Sequence, residues 1–226
     1  MKDLKNNRVL LGFTLPEVLI TLGIIGVVAA LSIPILLSNA AKEEAVAKLK
    51  KEYTVLAQAV KLSEIDNGPV KYWDWGTDIT VKQSFDTYWA PYLKILKYCN
   101  TPEDCGYASN YPWRTLLGDA VGCGVSSDTR RTTVLLSDGE LLMIRFNPSE
   151  GMPAQLFVDL DASKGSNMYG KDFFYFVADP NKGLVPYGYN LDQSIINGNC
   201  KNGGNGIFCT SKIVADGWQM KSDYPW

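Results

Sequence analysis

Side chains able to do chemistry are few in this 226-residue chain, and their spacing narrows the chemistry further. There is no histidine, which removes Ser-His-Asp and Cys-His nucleophile systems and every His-ligated metal site. Five cysteines remain: Cys99, Cys105, Cys123, Cys200 and Cys209. The spacings "CNTPEDC" and "CKNGGNGIFC" contain no C-x-x-C, so zinc and thioredoxin-type chemistry have little support. Each of these two stretches encloses a short polar loop that a disulfide can staple, Cys99 with Cys105 and Cys200 with Cys209. Such bridges require an oxidising compartment. Cys123 is left over, and spacing alone does not fix the connectivity.

Hard oxygen ligands gather in "VDLDASKGSNMYGKDFF" (Val158–Phe174). Asp159, Asp161, Ser163 and Asn167 offer the oxygens that calcium takes. The stretch lacks the D-x-D-x-D-G core and distal glutamate of an EF-hand. The competing reading is a plain loop whose Asp and Asn make turn hydrogen bonds. "GGNG" (Gly203–Gly206) has no following Lys-Ser/Thr and is no phosphate loop; it reads as a flexible part of the Cys200–Cys209 loop. Glu103 and Asp104 read as a solvated turn. The aromatics of "KYWDW" (Lys71–Trp75) can stack on a sugar or a base, or belong to a core or subunit interface. No catalytic motif is present, and the expectation is that the chain is not an enzyme. A formal net charge of −2 without a basic block argues against a nucleic-acid partner.

The remaining candidate is Glu17, an acid at the mouth of an apolar run, "GFTLPEVLITLGIIGVVAALSIPILL" (Gly12–Leu37). Val18–Ala41 is 24 residues without a formal charge; as a helix it spans ~36 Å, enough for a bilayer core. Upstream, "MKDLKNNRVLLG" is net positive and should stay cytoplasmic. Three readings compete: an uncleaved anchor, a secretory signal cut after Ala40, and a leader cut at Gly12 that leaves the apolar run on the mature chain. Pro16 favours the third. Inside a continuous helix its ring clashes with the carbonyl of Gly12. After a cut at Gly12, Pro16 lies among the first four helical residues, whose N–H groups have no intrahelical partner in any case.

These residues resemble the cleavage and methylation segment of type IV pilins and type II secretion pseudopilins. The resemblance covers roughly residues 8–60. It implies that a prepilin peptidase cuts between Gly12 and Phe13 and methylates Phe13. It implies that Glu17, fifth in the mature chain, pairs with the Phe13 ammonium of a neighbouring subunit during assembly. Pro34, twenty-second from Phe13, then curves or locally melts the helix; its interior position costs about 3 kcal/mol in an ordinary helix. Pro16 departs from the aliphatic residue found in many members but does not touch the cut site. The resemblance also makes calcium at Asp159, Asp161 and Asn167 an expectation, since pseudopilin heads include calcium-binding loops.

The elements that must position these groups are legible as patterns. Val46, Leu49, Tyr53, Leu56, Ala57 and Val60 recur at helical spacing, with Lys42, Glu43, Lys50, Lys51 and Glu52 assigned to the polar face. "DNGP" (Asp66–Pro69) is the stop. "SFDTYWAPYLKILKYC" (Ser84–Cys99) reads as helical, interrupted or started at Pro91. "TTVLLSDGELLMIRF" reads as a β-hairpin turning at Asp138-Gly139. "AQLFVDLD" and "FFYFVAD" supply two further strands, and "IFCTSKIVADGW" a short helix ending at Gly217. The tail, holding Trp218 and Trp226, should pack back on the head.

The expected fold is α+β: a long N-terminal α-helix, transmembrane half plus amphipathic half, packed by one face on a four-stranded antiparallel sheet. The expected organisation is a cytoplasmic leader (1–12), a pilin helix (13–65, membrane segment about 18–41) and an extracytoplasmic head (66–226). The expected function is that of a structural subunit of a type IV pilus or a type II secretion pseudopilus. Its partners are other pilins in a homo- or hetero-polymer, the prepilin peptidase, an inner-membrane assembly platform and the membrane. It sits in the bacterial inner membrane as precursor, then in a periplasmic or cell-surface filament. The alternative is a membrane-anchored extracytoplasmic module that binds glycan or DNA without forming filaments.

Overall fold

The computed structural model describes residues 14–75, 79–109, 111–122, 124–125, 130–147 and 152–226. Helix α1 (Leu15–Asn67) runs for 53 residues. It ends at the expected stop, where Gly68 adopts φ +78° and donates its N–H to Glu64 O. Residues 1–41 and 42–226 form two compact units.

In the first unit the side chains of α1 face outward. Leu15 is 73 % exposed and Leu31 69 %. An 18-residue window here has a mean hydropathy of 2.6, so the helix is long and apolar enough to cross a membrane. Two hydroxyls in the run bond the backbone of their own helix: Thr21 Oγ1 donates to Val18 O (3.0 Å) and Ser32 Oγ to Val28 O (2.8 Å). That internal satisfaction is what an apolar surrounding demands of polar groups.

The second unit holds a six-stranded antiparallel meander in the order β1-β2-β3-β4-β5-β6. The strands are β1 (Ile95–Tyr98), β2 (Arg131–Leu136), β3 (Leu141–Asn147), β4 (Met152–Asp159), β5 (Phe173–Asp179) and β6 (Gly183–Pro186). The expected hairpin is β2–β3, with Thr133 opposite Met143 and Leu135 opposite Leu141. Two strands exceed the expected four. Residues 95–98 pair with β2 although they were read as helix: only Val81–Tyr88 is helical (α2), and a 3-10 turn at Ala90–Tyr92 contains Pro91 and redirects the chain. Helices α3 (Gln193–Asn199) and α4 (Cys209–Ala215) follow, with α4 closing at Gly217 as expected.

Alternation along the strands sends side chains to two faces. Val134, Leu142, Val158 and Phe174 lie side by side across β2–β5 and pack with Leu49, Leu56 and Val60 of α1. Met143, Phe157 and Tyr175 lie on the other face, beneath Tyr107, Trp113 and Val121. The sheet is therefore buried on both faces, one of them against the helix. Tyr107, Trp113 and Val121, all after β1, supply the second cover, and Cys99 is bonded to Cys105 at the end of β1.

Cys200 and Cys209 are also joined, tying the end of α3 to the start of α4. Of the glycines between them, Gly204 and Gly206 are buried and closely packed, while Gly203 is exposed. A Cβ on Gly204 would lie 2.0 Å from Asn199 O, a distance that no side chain tolerates. The tail packs back: Tyr224 is buried and donates to Gly170 O (2.6 Å). Lys212, also buried, bridges to Asp216 and Asp223 (3.1 and 2.7 Å).

Candidate functional site

Of the processing and assembly residues, Gly12 and Phe13 lie outside the described residues, as does Cys123. Glu17 and Pro34 are described, and both sit within α1. Glu17 Oε2 accepts from Thr14 N and Thr14 Oγ1, both at 2.8 Å, and Glu17 N donates to Thr14 Oγ1 at 3.4 Å. This is a capping box: two helix-end donors are satisfied reciprocally. The T-x-x-E spacing carried that signal, and the sequence reading did not use it.

The aromatic stretch at Lys71–Trp75 divides. Trp73 and Trp75 are buried in the main core, with Trp73 stacked on Tyr88 at 4.8 Å, and only Tyr72 is exposed. Asp104 serves its turn, accepting from Asn100 N and Thr101 N (2.9 and 3.0 Å). Those backbone donors hold its carboxyl below the ordinary range.

The loop between β4 and β5 gathers the expected oxygen ligands, but points donors at them. Asp159 is fully buried, and its Oδ2 accepts from Tyr107 OH (2.8 Å) and Trp113 Nε1 (2.7 Å). With its amide oriented to satisfy both ends, Asn167 donates to Ala162 O (3.0 Å) and to the same Asp159 oxygen (3.2 Å). Asp172 accepts from the N–H groups of Ser166, Asn167 and Met168 (2.6, 2.8 and 2.6 Å). Burial pushes the Asp159 carboxyl well up against the opposing pull of Trp113 and Tyr107. Asp161 is half-buried, with Oδ1 unpartnered among the described residues. The structure thus brings Asp159 and Asn167 together as hydrogen-bond partners. The geometry is that of a loop braced by its acids.

A second acidic cluster was not foreseen. Glu52, assigned by its charge to the polar face of the helix, is fully buried together with Leu49 and Leu56. The spacing 49–52–56 places it on the core face, so the periodicity contained the signal and the residue type hid it. The β2–β3 turn delivers Asp138 and Glu140 to the same place. One carboxylate oxygen from each of the three residues lies within 4.8 Å of the others. Lys51 Nζ sits beside them, 2.5 Å from Asp138 Oδ2 and 3.0 Å from Glu140 Oε1.

Both Glu52 oxygens and Glu140 Oε2 are buried with no hydrogen-bond partner among the described residues. Burial first, then the charge of Glu140 and the hydrogen bond the two carboxyls can share when one is protonated, then the charge of Asp138, raise the Glu52 carboxyl to about 9. Burial likewise raises Glu140. Lys51 is also raised, which for a cation favours the charged form: burial opposes its charge, but Asp138 and Glu140 outweigh that and raise it to about 12.

A cleft of about 190 Å³ opens on the sheet face away from α1, walled by Phe157, Tyr169, Tyr175 and Tyr187 with Arg145. Its rings largely engage one another, with Phe157–Tyr175 stacked at 4.3 Å and Tyr175–Tyr187 at 4.0 Å.

The profile of a family of unknown function, DUF6613, matches residues 35–226. The chain belongs to this family. The match begins inside α1, after Pro34, and covers the whole second unit with its sheet, both disulfides and both acidic clusters. The segment from Gly12 to Pro34, which carries the processing and assembly residues, lies outside the match. No curated protein and no solved structure matches the chain.

Proposed function

We propose that this member of DUF6613 is a structural subunit of an extracytoplasmic filament of the type IV pilus or secretion pseudopilus kind. Its precursor is cut between Gly12 and Phe13 and polymerises through the N-terminal part of α1. The observation that carries this reading is the sequence spacing of Gly12, Phe13, Glu17 and Pro34, together with a helix whose apolar side chains, from Leu15 to Leu37, stay exposed in the isolated chain. Such a surface is stable in lipid or against copies of itself and costly in water, at roughly 25 cal/mol per Å². Moving from one apolar surrounding to the other is what assembly from a membrane reservoir requires.

Glu17 then has two tasks. Its hydrogen bonds to Thr14 start the helix. Its charge selects register, because a subunit out of step leaves an acid and an ammonium unpaired in an apolar bundle. The two disulfides suit a head assembled outside the cytoplasm. The alternative, a tethered glycan- or DNA-binding module, rests on the aromatic cleft at Tyr175 and Tyr187, whose ring faces are already engaged by each other.

The variant Glu17→Gln separates the two tasks, since glutamine also closes a capping box but carries no charge. The mutant should be processed normally, with N-methyl-Phe13 as the first residue by mass spectrometry. Sheared filaments should be absent from its electron micrographs. Normal filaments from Glu17→Gln, or a wild-type chain beginning at Met1 or Ala41, would refute the reading.

A further inference from the structure

We propose that Glu52, Asp138 and Glu140 bind one hard divalent cation, calcium by its chemistry, which clasps α1 to the β2–β3 turn. The inference does not rest on filament formation: all three ligands belong to the second unit, and the site is complete in a single chain.

Three observations carry it. First, one oxygen from each carboxylate lies within 4.8 Å of the other two. Calcium takes oxygens at 2.3–2.6 Å, so atoms on opposite sides of the ion are separated by up to about twice that length. Second, Glu52 is fully buried with both oxygens unpartnered among the described residues, and Glu140 Oε2 is in the same condition. One proton shared between Glu52 and Glu140 would bond one oxygen of each and leave the third atom orphaned. A cation held by both Glu52 oxygens and by Glu140 serves all three. Third, the charges call for it. Ionising all three carboxylates against Lys51 would leave two uncompensated negative charges, one of them on a group with no access to water, and a divalent cation cancels both.

The donor set selects the ion. An all-carboxylate site without nitrogen or sulfur suits hard cations. Magnesium keeps several waters and demands octahedral geometry, which a fully buried Glu52 does not favour. Calcium tolerates irregular and bidentate coordination. Asp138 lies on the exposed side of the turn, which provides the entry path and room for coordinating water. Lys51 is the opposing element. Its ammonium shares Asp138 and Glu140 with the ion, so the affinity should fall in the extracellular range of about 10⁻⁴–10⁻³ M.

The test uses the full chain, purified in detergent and stripped with a chelator, then titrated with calcium chloride by calorimetry and by thermal unfolding. Wild type should bind one calcium per chain and melt at higher temperature with it. Asp138→Asn, at an exposed turn position that leaves the fold intact, should weaken binding by about tenfold or more. Glu52→Gln should abolish binding. Lys51→Gln should tighten it severalfold, a gain that no purely structural role for Lys51 produces. Asp161→Asn, in the β4–β5 loop, should leave it unchanged.

The proposal fails if wild type takes up no calcium, which would assign the cluster to a shared proton. It also fails if binding survives Asp138→Asn and Glu52→Gln but is lost in Asp161→Asn, which would move the ion to the β4–β5 loop.

Discussion

The molecule buries an acid in two places and treats them in opposite ways. At the β4–β5 loop, Asp159 is met by a phenol, an indole and an amide, all donating to one oxygen. Under the β2–β3 turn, Glu52 is met by Glu140 and Asp138, which only accept when ionised. A buried carboxylate ringed by donors is part of the scaffold, because its solvation has been replaced in kind. A buried carboxylate ringed by acceptors is incomplete until a proton or a cation arrives from outside. Acids gathered in a loop are not thereby ligands; what each acid faces decides whether it needs one.

The largest effect should come from removing the satisfied acid. Asp159→Ala leaves Tyr107 OH and Trp113 N–H buried without an acceptor, and should cost about 3–5 kcal/mol in chemical denaturation. A cost near zero would erase the contrast. The next effect concerns pH in the ion-free protein. The unfolded Glu52 carboxyl releases its proton near 4.5, whereas the folded one keeps it to about 9. Between these values the folded state binds more protons than the unfolded state, so stability is greatest at the acid end and declines as pH rises through the window. The groups facing Glu52 are Glu140, Asp138 and Lys51. The decline should amount to a few kcal/mol, on the order set by a shift of several pH units. Denaturation in chelator across pH 5–9 measures it, and Glu52→Gln should flatten the profile; an equal slope in the mutant would assign the pH dependence elsewhere. The smallest effect sharpens the comparison. Tyr107→Phe withdraws one donor from Asp159 and leaves the indole and the amide, so it should cost only about 1 kcal/mol.

Patterns in residue type and spacing carried the long helix, its stop at Asp66–Pro69, the Asp138-Gly139 hairpin, the short helix closing at Gly217 and the two cysteine loops. The failures have specific causes. Residues 95–98, "ILKY", satisfy helical and strand spacing equally, and pairing with β2 decided between them. Gly203–Gly206 reads as flexible by composition, yet Gly204 lies against Asn199 O inside the loop that Cys200 and Cys209 close. Glu52 was misread because charge was allowed to outweigh period.

By itself, then, the order of residues determined what each segment can do locally: where a helix starts and stops, which run is apolar enough for lipid, and which cysteines are near in sequence. These are short-range properties, governed by backbone geometry and by neighbours three or four positions away. Only the tertiary structure decided that the sheet is covered on both faces, that Asp159 faces donors, and that Glu52 meets two acids from a turn 86 residues or more along the chain. The electrostatic surroundings of a buried charge depend on whichever atoms the fold brings within a few ångströms, and sequence distance carries no information about that.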